Sequence, residues 1–237
     1  MLRALLDIIF PPLCHGCREG IPDAGELHIC PACRDSIHVI SSPLCTVCGI
    51  PFATTGGIDH PCGPCRTSRP CFSSARAAVA FDGVPRDLIH RFKYEHKVHL
   101  AHPLVLLTRE VLSSSVAAAG ADLLIPVPLH RRRLRERGFN QAVLLGRPLA
   151  RAWNIPFSFD TLRRVRWTAP QITLSADERE TNVRGAFSVS APDAVRGKRI
   201  LLFDDVYTTG STVAECCRVL RKAGADSVYI VTVARAL

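Results

Sequence analysis

Four Cys-x-x-Cys turns crowd into residues 14–65 of this chain: CHGC (Cys14, Cys17), CPAC (Cys30, Cys33), CTVC (Cys45, Cys48) and CGPC (Cys62, Cys65). A turn of this spacing aims two thiolates at one ion, and two such turns close a tetrahedral site. Eight ligands therefore predict two structural zinc ions. Sequential pairing is the simplest arrangement, with the first two turns on one ion and the last two on another. A crossed pairing satisfies the spacing as well. CGPC alone has the form of a redox motif, but such a motif opens a helix after a strand. No strand pattern precedes it here, and three further pairs would be left without a role. His15, His28, His38 and His60 are read as solvent-exposed bystanders, and the unpaired Cys71 as a small buried residue.

Nine of the 11 cysteines precede residue 72, which predicts a zinc-binding module over 1–71 and a second domain over 72–237. The opening MLRALLDIIF is apolar but short and is interrupted by Asp7, so it reads as an amphipathic helix rather than a secretory signal. No apolar run reaches the roughly 20 residues of a membrane span. These features predict a cytoplasmic protein with no membrane partner, and thiols kept for metal rather than for disulfides.

The formal charge of +9 is uneven: residues 1–71 hold five Lys/Arg against six acids, and the remainder carries +10. Thiolate–zinc binding would make the module more acidic still. A zinc finger that reads nucleic acid carries a basic face, so this module is expected to be structural or to dock a partner. The basic C-terminal part implies an anionic ligand.

After residue 71 the periodicity alternates. Strands are expected at 73–83, 121–130, 156–166, 198–205 and 225–237, with helices over 85–120, 140–154 and 210–224. Such alternation predicts an α/β fold with a mainly parallel sheet wound on both faces, and ligands then bind beyond the carboxyl ends of the strands. The stretch RILLFDDVYTTGSTV (199–213) places Asp204 and Asp205 at such an end, followed by a small, hydroxyl-rich turn into a helix N-terminus. Outward N–H groups and the hydroxyls of Thr208, Thr209, Ser211 and Thr212 suit a phosphate. The two carboxylates suit a sugar diol, directly or through Mg²⁺ and its waters.

This order resembles the 5-phosphoribosyl-1-pyrophosphate (PRPP) signature of type I phosphoribosyltransferases. It covers Asp204, Asp205, Val206, Tyr207, Thr208, Thr209, Gly210, Ser211 and Thr212, and departs at Tyr207, where an aliphatic residue is usual. With IPVPLHRRRLRERGFNQA, RVRWTAPQITLSADERETNVRGAF and the multi-cysteine start, essentially the whole chain resembles the ComF family. The resemblance implies a type I phosphoribosyltransferase fold behind a zinc module, PRPP and Mg²⁺ as ligands, and catalysis at Asp204 and Asp205. The implied reaction displaces pyrophosphate from PRPP with an unidentified acceptor.

The resemblance also implies a pyrophosphate loop including Arg135, Arg137, Gly138, Asn140 and Gln141. It implies a hood closing with Gln171, Arg179, Asn182 and Arg184, while Arg163, Arg164 and Arg166 are expected on an exposed strand face. Lys93 is left open between a place near the site and an ordinary surface position. His90, His96 and His130 are weighed as general bases, and none stands out. A link to competence or DNA uptake is implied, and with it three partnerships to weigh: PRPP, a DNA-processing protein and single-stranded DNA. A non-catalytic adaptor that senses PRPP or a nucleotide is the alternative.

Overall fold

The computed structural model describes residues 12–21, 25–54, 56–168 and 181–237. The segment 1–10, expected as a helix, and the hood candidates Gln171 and Arg179 lie outside the described residues.

The core of the molecule is a four-stranded parallel sheet in the order β1 (Ser74–Ala80), β6 (Ser227–Arg235), β5 (Arg199–Tyr207), β2 (Leu123–Pro126). Ile200 to Phe203 of β5 are all fully buried, which only a strand covered on both faces can achieve. Each such side chain gains about 1.5–3 kcal/mol by leaving water.

The pleat divides these residues between two cores. Leu201 and Phe203 pack with α3 (Gly83–Tyr94), α4 (Ala101–Ala119) and α6 (Gln141–Ala152). Ile200 and Leu202 pack on the other face with α7 (Ser211–Lys222) and with the antiparallel pair β3 (Leu162–Arg164) and β4 (Phe187–Val189). The strand-like stretch 156–166 therefore forms β3 of this small pair, and its Phe157 bridges Leu124 at the sheet's margin.

The arginine segment is not a loop. Arg131–Arg137 is a short helix, α5. Its Leu, Arg and Glu residues favour helix, the His130 Nδ1 accepts the Arg132 N–H at 3.2 Å as a cap, and Gly138 ends it at φ +78°.

The cysteine turns form two copies of one ribbon, each ending in a five-residue helix, α1 (Pro31–Asp35) or α2 (Gly63–Thr67). The backbone bonds repeat: Cys14 N–H donates to the Glu19 carbonyl and Cys45 N–H to that of Ile50, both at 2.8 Å. The ribbons lie on opposite faces of the sheet. Cys14, Ile21, Ile29 and Ile37 belong to the first core, whereas Cys45, Val47, Cys48 and Cys65 belong to the second. An arginine ties each ribbon to the body through a carbonyl of its Cys-x-x-Cys turn. Arg91 Nη1 of α3 donates to His15 at 2.6 Å, and Arg235 Nη1 of β6 donates to Cys48 at 2.5 Å. A side chain at Gly49 (φ +73°) would stand 2.3 Å from the Ala75 carbonyl, so glycine is what lets the second ribbon lie against β1. Against expectation, Cys71 is exposed and His15 and His28 are half-buried, because the two rings stack 5.5 Å apart between the first ribbon and its neighbours.

Candidate functional site

The two groups of four sulfurs are sequential: Cys14, Cys17, Cys30 and Cys33 in one, Cys45, Cys48, Cys62 and Cys65 in the other, each within 4.8 Å of one another. Four thiolates tetrahedral about zinc at ~2.3 Å stand ~3.8 Å apart. Cys17–Cys30 at 3.8 Å and Cys48–Cys62 at 3.7 Å match that spacing. Burial opposes ionisation of Cys14, but N–H bonds from Cys30, Cys17 and Gly16 outweigh it and bring the thiol down to about 6. Cys45 is lowered to about 6 in the same way, its burial outweighed by N–H bonds from Cys62, Cys48 and Val47. Burial pushes the Cys33 and Cys65 thiols up, so it is the spacing of the four sulfurs in each group that fits zinc at both positions.

A cavity of about 230 Å³ opens at the carboxyl ends of β5 and β2. On one wall are Asp204, Asp205, Val206, Tyr207, Thr208, Gly210 and Thr212. Arg133, Arg137 and Gln141 line it from α5 and α6, and Lys93 and Tyr94 from α3. Lys93 Nζ lies 2.5 Å from Asp205 Oδ2, and both side chains are largely buried. The contact is an ion pair rather than an aligned hydrogen bond, since the same oxygen has no hydrogen-bond partner. Such a buried, under-coordinated carboxylate oxygen, beside a second carboxylate, also suits a hard divalent cation.

Asp204 lines the cavity, yet it is perturbed. Burial first, then the adjacent Asp205 charge, push its carboxyl up to about 8, with Lys93 pulling the other way. A raised carboxylate costs nothing below the ordinary value of 3.8 and costs stability as pH climbs through about 8. Asp204→Asn is therefore expected to melt higher than wild type at pH 8 in magnesium-free buffer, by about 5 °C, and no higher at pH 4. Thermal melts across that range check it; an unchanged or lower melting point at pH 8 contradicts it.

The turn after β5 divides the expected phosphate residues. Thr208, Gly210 and Thr212 line the cavity, and the N-cap of α7 is Gly210, which has no side chain to cap it. Thr209 and Ser211, whose hydroxyls pair at 2.9 Å, face a second groove behind the turn.

The arginine helix sorts its residues by face. Arg133 and Arg137, four apart, face the cavity, and Arg137 is buried, donating to Gln141 Oε1 at 2.7 Å. Arg135 is exposed and absent from the lining. Gly138 ends the helix and Asn140 caps α6, accepting from Ala142 N–H at 2.9 Å and donating to the Val127 carbonyl at 3.1 Å. Of the five residues expected to hold pyrophosphate, Arg137 and Gln141 reach the cavity.

Of the hood candidates described, Arg184 is exposed and lines the rear groove, while the Asn182 carbonyl accepts from Arg166 Nη2 at 2.8 Å. Arg164 corrects the expectation of an exposed strand face. It is packed over the Phe187 ring, donates to Thr168, lines the cavity and is shifted downward, chiefly by burial. Trp167 lines the mouth, its ring beside Arg132, Arg133 and His130. Arg164, Trp167 and Thr168 were not expected at the cavity, and Arg133, a candidate within the arginine run, was not singled out. For Arg133 a signal existed: read as a helix, 131–137 puts Arg133 on the face of Arg137. His130 lines the cavity with its Nδ1 engaged as a cap, and His90 and His96 do not line it.

Among known proteins, the double zinc ribbon domain matches residues 5–66 and the phosphoribosyl transferase domain residues 140–237. The chain is 35% identical over 230 residues to DNA utilization protein YhgH of Escherichia coli K12, covering 96% of this chain and 98% of that one. It is 32% identical to competence protein F of Haemophilus influenzae, over 87% of this chain and 96% of that one. Competence protein ComFC of Bacillus subtilis is 26% identical over 87% and 84%. Among the described residues no helix is long and apolar enough to cross a membrane. With two four-cysteine ribbons flanking a mainly parallel sheet of the type I phosphoribosyltransferase fold, this chain belongs to the ComF family.

Proposed function

We propose that the protein binds PRPP and displaces its pyrophosphate with an acceptor nucleophile. Residues 1–71 would serve as the zinc unit and 72–237 as the transferase unit. The observation that carries this reading is the opposition, across one cavity, of Asp204 and Asp205 to Arg133 and Arg137, beside the N-terminus of α7. Asp204 and Asp205 hold the ribose diol, Thr208, Gly210 and Thr212 the 5′-phosphate, and Arg133, Arg137 and Gln141 the pyrophosphate. Guanidinium groups fixed before the reaction favour the charge that develops on the leaving group. Asp204 and Asp205 would hold Mg²⁺, which would supply further charge neutralisation there. Lys93 holds Asp205 in place through their ion pair. The relatives named for competence and DNA utilization support a role in the handling of incoming DNA, in which the acidic zinc ribbons dock a DNA-processing partner.

Calorimetric titration with PRPP, with and without Mg²⁺, tests the site. Saturable, Mg²⁺-dependent binding is expected, with a loss of at least about 100-fold in Asp204→Asn/Asp205→Asn, the equivalent of about 2.7 kcal/mol. Wild-type affinity in that variant overturns the assignment.

A non-catalytic PRPP sensor is the second reading. It is favoured by the engagement of His130 Nδ1, since no other histidine among the described residues lines the cavity. Pyrophosphate release against a panel of bases and amines separates the two.

A further inference from the structure

Tyr207 is the residue at which the phosphate-loop stretch departs from its usual pattern, and the structure gives that departure a purpose. The β5–β6 register pairs Tyr207 with Arg235. The Arg235 guanidinium sits 4.4 Å from the Tyr207 ring centroid, in cation–π contact. Its Nη1 donates to the Cys48 carbonyl at 2.5 Å, and its Nη2 lies 3.9 Å from the Cys48 sulfur. On the other side of the ring lies the turn. A side chain at Gly210 (φ +81°) would stand 2.3 Å from the Tyr207 hydroxyl, so the loop backbone rests directly on the phenol. Tyr207 and Arg235 are both buried. One continuous set of contacts thus runs from the second zinc ribbon, through Arg235 and Tyr207, to Gly210 at the start of α7.

We infer that Arg235 and Tyr207 form a strut that positions the phosphate-binding turn from the second zinc site, so that PRPP binding and zinc retention at that site are coupled. The inference rests on the PRPP reading of the cavity. An aliphatic residue at 207 could fill space under the turn, but could not present a ring to a guanidinium and a phenol to Gly210 together. The first ribbon is held differently: its arginine, Arg91, stands on α3, whose Lys93 meets Asp205 rather than the turn. Coupling between two sites is reciprocal for binding. A ligand that stiffens residues 207–212 therefore raises the affinity of the second site for zinc, and the second zinc tightens PRPP by the same factor.

The test uses the full-length, two-zinc protein, with zinc release followed by a zinc-selective chromogenic chelator with and without saturating PRPP and Mg²⁺. At equilibrium with the chelator, PRPP is expected to raise the retention of one zinc equivalent by at least about fivefold and to leave the other unchanged. In Arg235→Met and in Tyr207→Leu the protection is expected to vanish and PRPP affinity to fall about tenfold. Merely lost stability would lower affinity without abolishing a selective protection of one ion. Should Arg235→Met fail to fold, Tyr207→Leu carries the test, because the phenol's removal leaves an apolar filling. PRPP binding that protects neither zinc, or protection that survives in the folded variants, overturns the strut alone. A wild-type protein that binds no PRPP overturns the reading of the cavity, and the strut with it.

Discussion

Cys45→Ser is expected to cost the protein its second zinc and, with it, most of its stability. Metal content should fall from two equivalents to one, and the melting point by more than about 10 °C. A structural zinc site contributes about 10–16 kcal/mol of binding energy, against about 5–15 kcal/mol for the stability of a whole domain. The loss cannot stay local, because Cys45, Val47, Cys48 and Cys65 are packed in the same core as Leu202, Cys217 and Ile230. The control is Cys71→Ser. That thiol is exposed and outside both four-sulfur groups, so metal content should stay at two. Elemental analysis and calorimetric melting decide it. A Cys45→Ser protein that keeps two zinc ions, or melts like wild type, refutes the placement.

Lys93→Met should be the most damaging substitution in the cavity. It leaves Asp205 buried without its cation and beside Asp204. Breaking a buried pair by removing one partner costs about 3–5 kcal/mol, or a fall of about 10 °C in melting point for a chain of this size. The deficit has a pH signature. Lys93 is a group that pulls Asp204 down from a value already raised to about 8, so its removal raises that carboxyl further. Below about pH 8 that carboxyl is protonated in both folded proteins, so this extra deficit opens only as pH rises above about 8. Lys93→Met/Asp205→Asn should recover most of the loss by removing the orphaned charge. Melting curves of both variants and wild type at about pH 7 and about pH 9.5 measure this. A pH-independent deficit, or a double variant no better than the single, contradicts the ion-pair account.

What could be read in the sequence was what chain-local chemistry enforces. The zinc ligands were legible because a two-residue spacing fixes which sulfurs turn together, and Asp204 and Asp205 because they interrupt an apolar strand at its end. The chain's alternation also located the parallel sheet. The opposite wall of the cavity was much less legible. Lys93 and Arg164 enter from elements over 40 residues from Asp205 or on a separate two-stranded unit, and periodicity says nothing of such meetings. The arginine run misled for a different reason. Resemblance favoured Arg135, but the segment is helical, and Arg133 faces the cavity while Arg135 faces solvent. Asn140, expected to meet ligand, instead caps α6, a duty its residue type performs widely.

The placement of the two ribbons on opposite faces of the sheet carries a consequence for biosynthesis. The second ribbon meets Arg235, 187 residues further along the chain. At about 5–20 residues per second, a ribosome takes roughly 10–40 s to make that partner. Through that interval the ribbons can hold zinc but cannot bury their inner faces, because β5 and β6 do not yet exist. Early capture of metal by the nascent chain, and protection of Val47 and Ile37 from aggregation until the last strand is threaded between them, are therefore requirements on the cell that makes this protein.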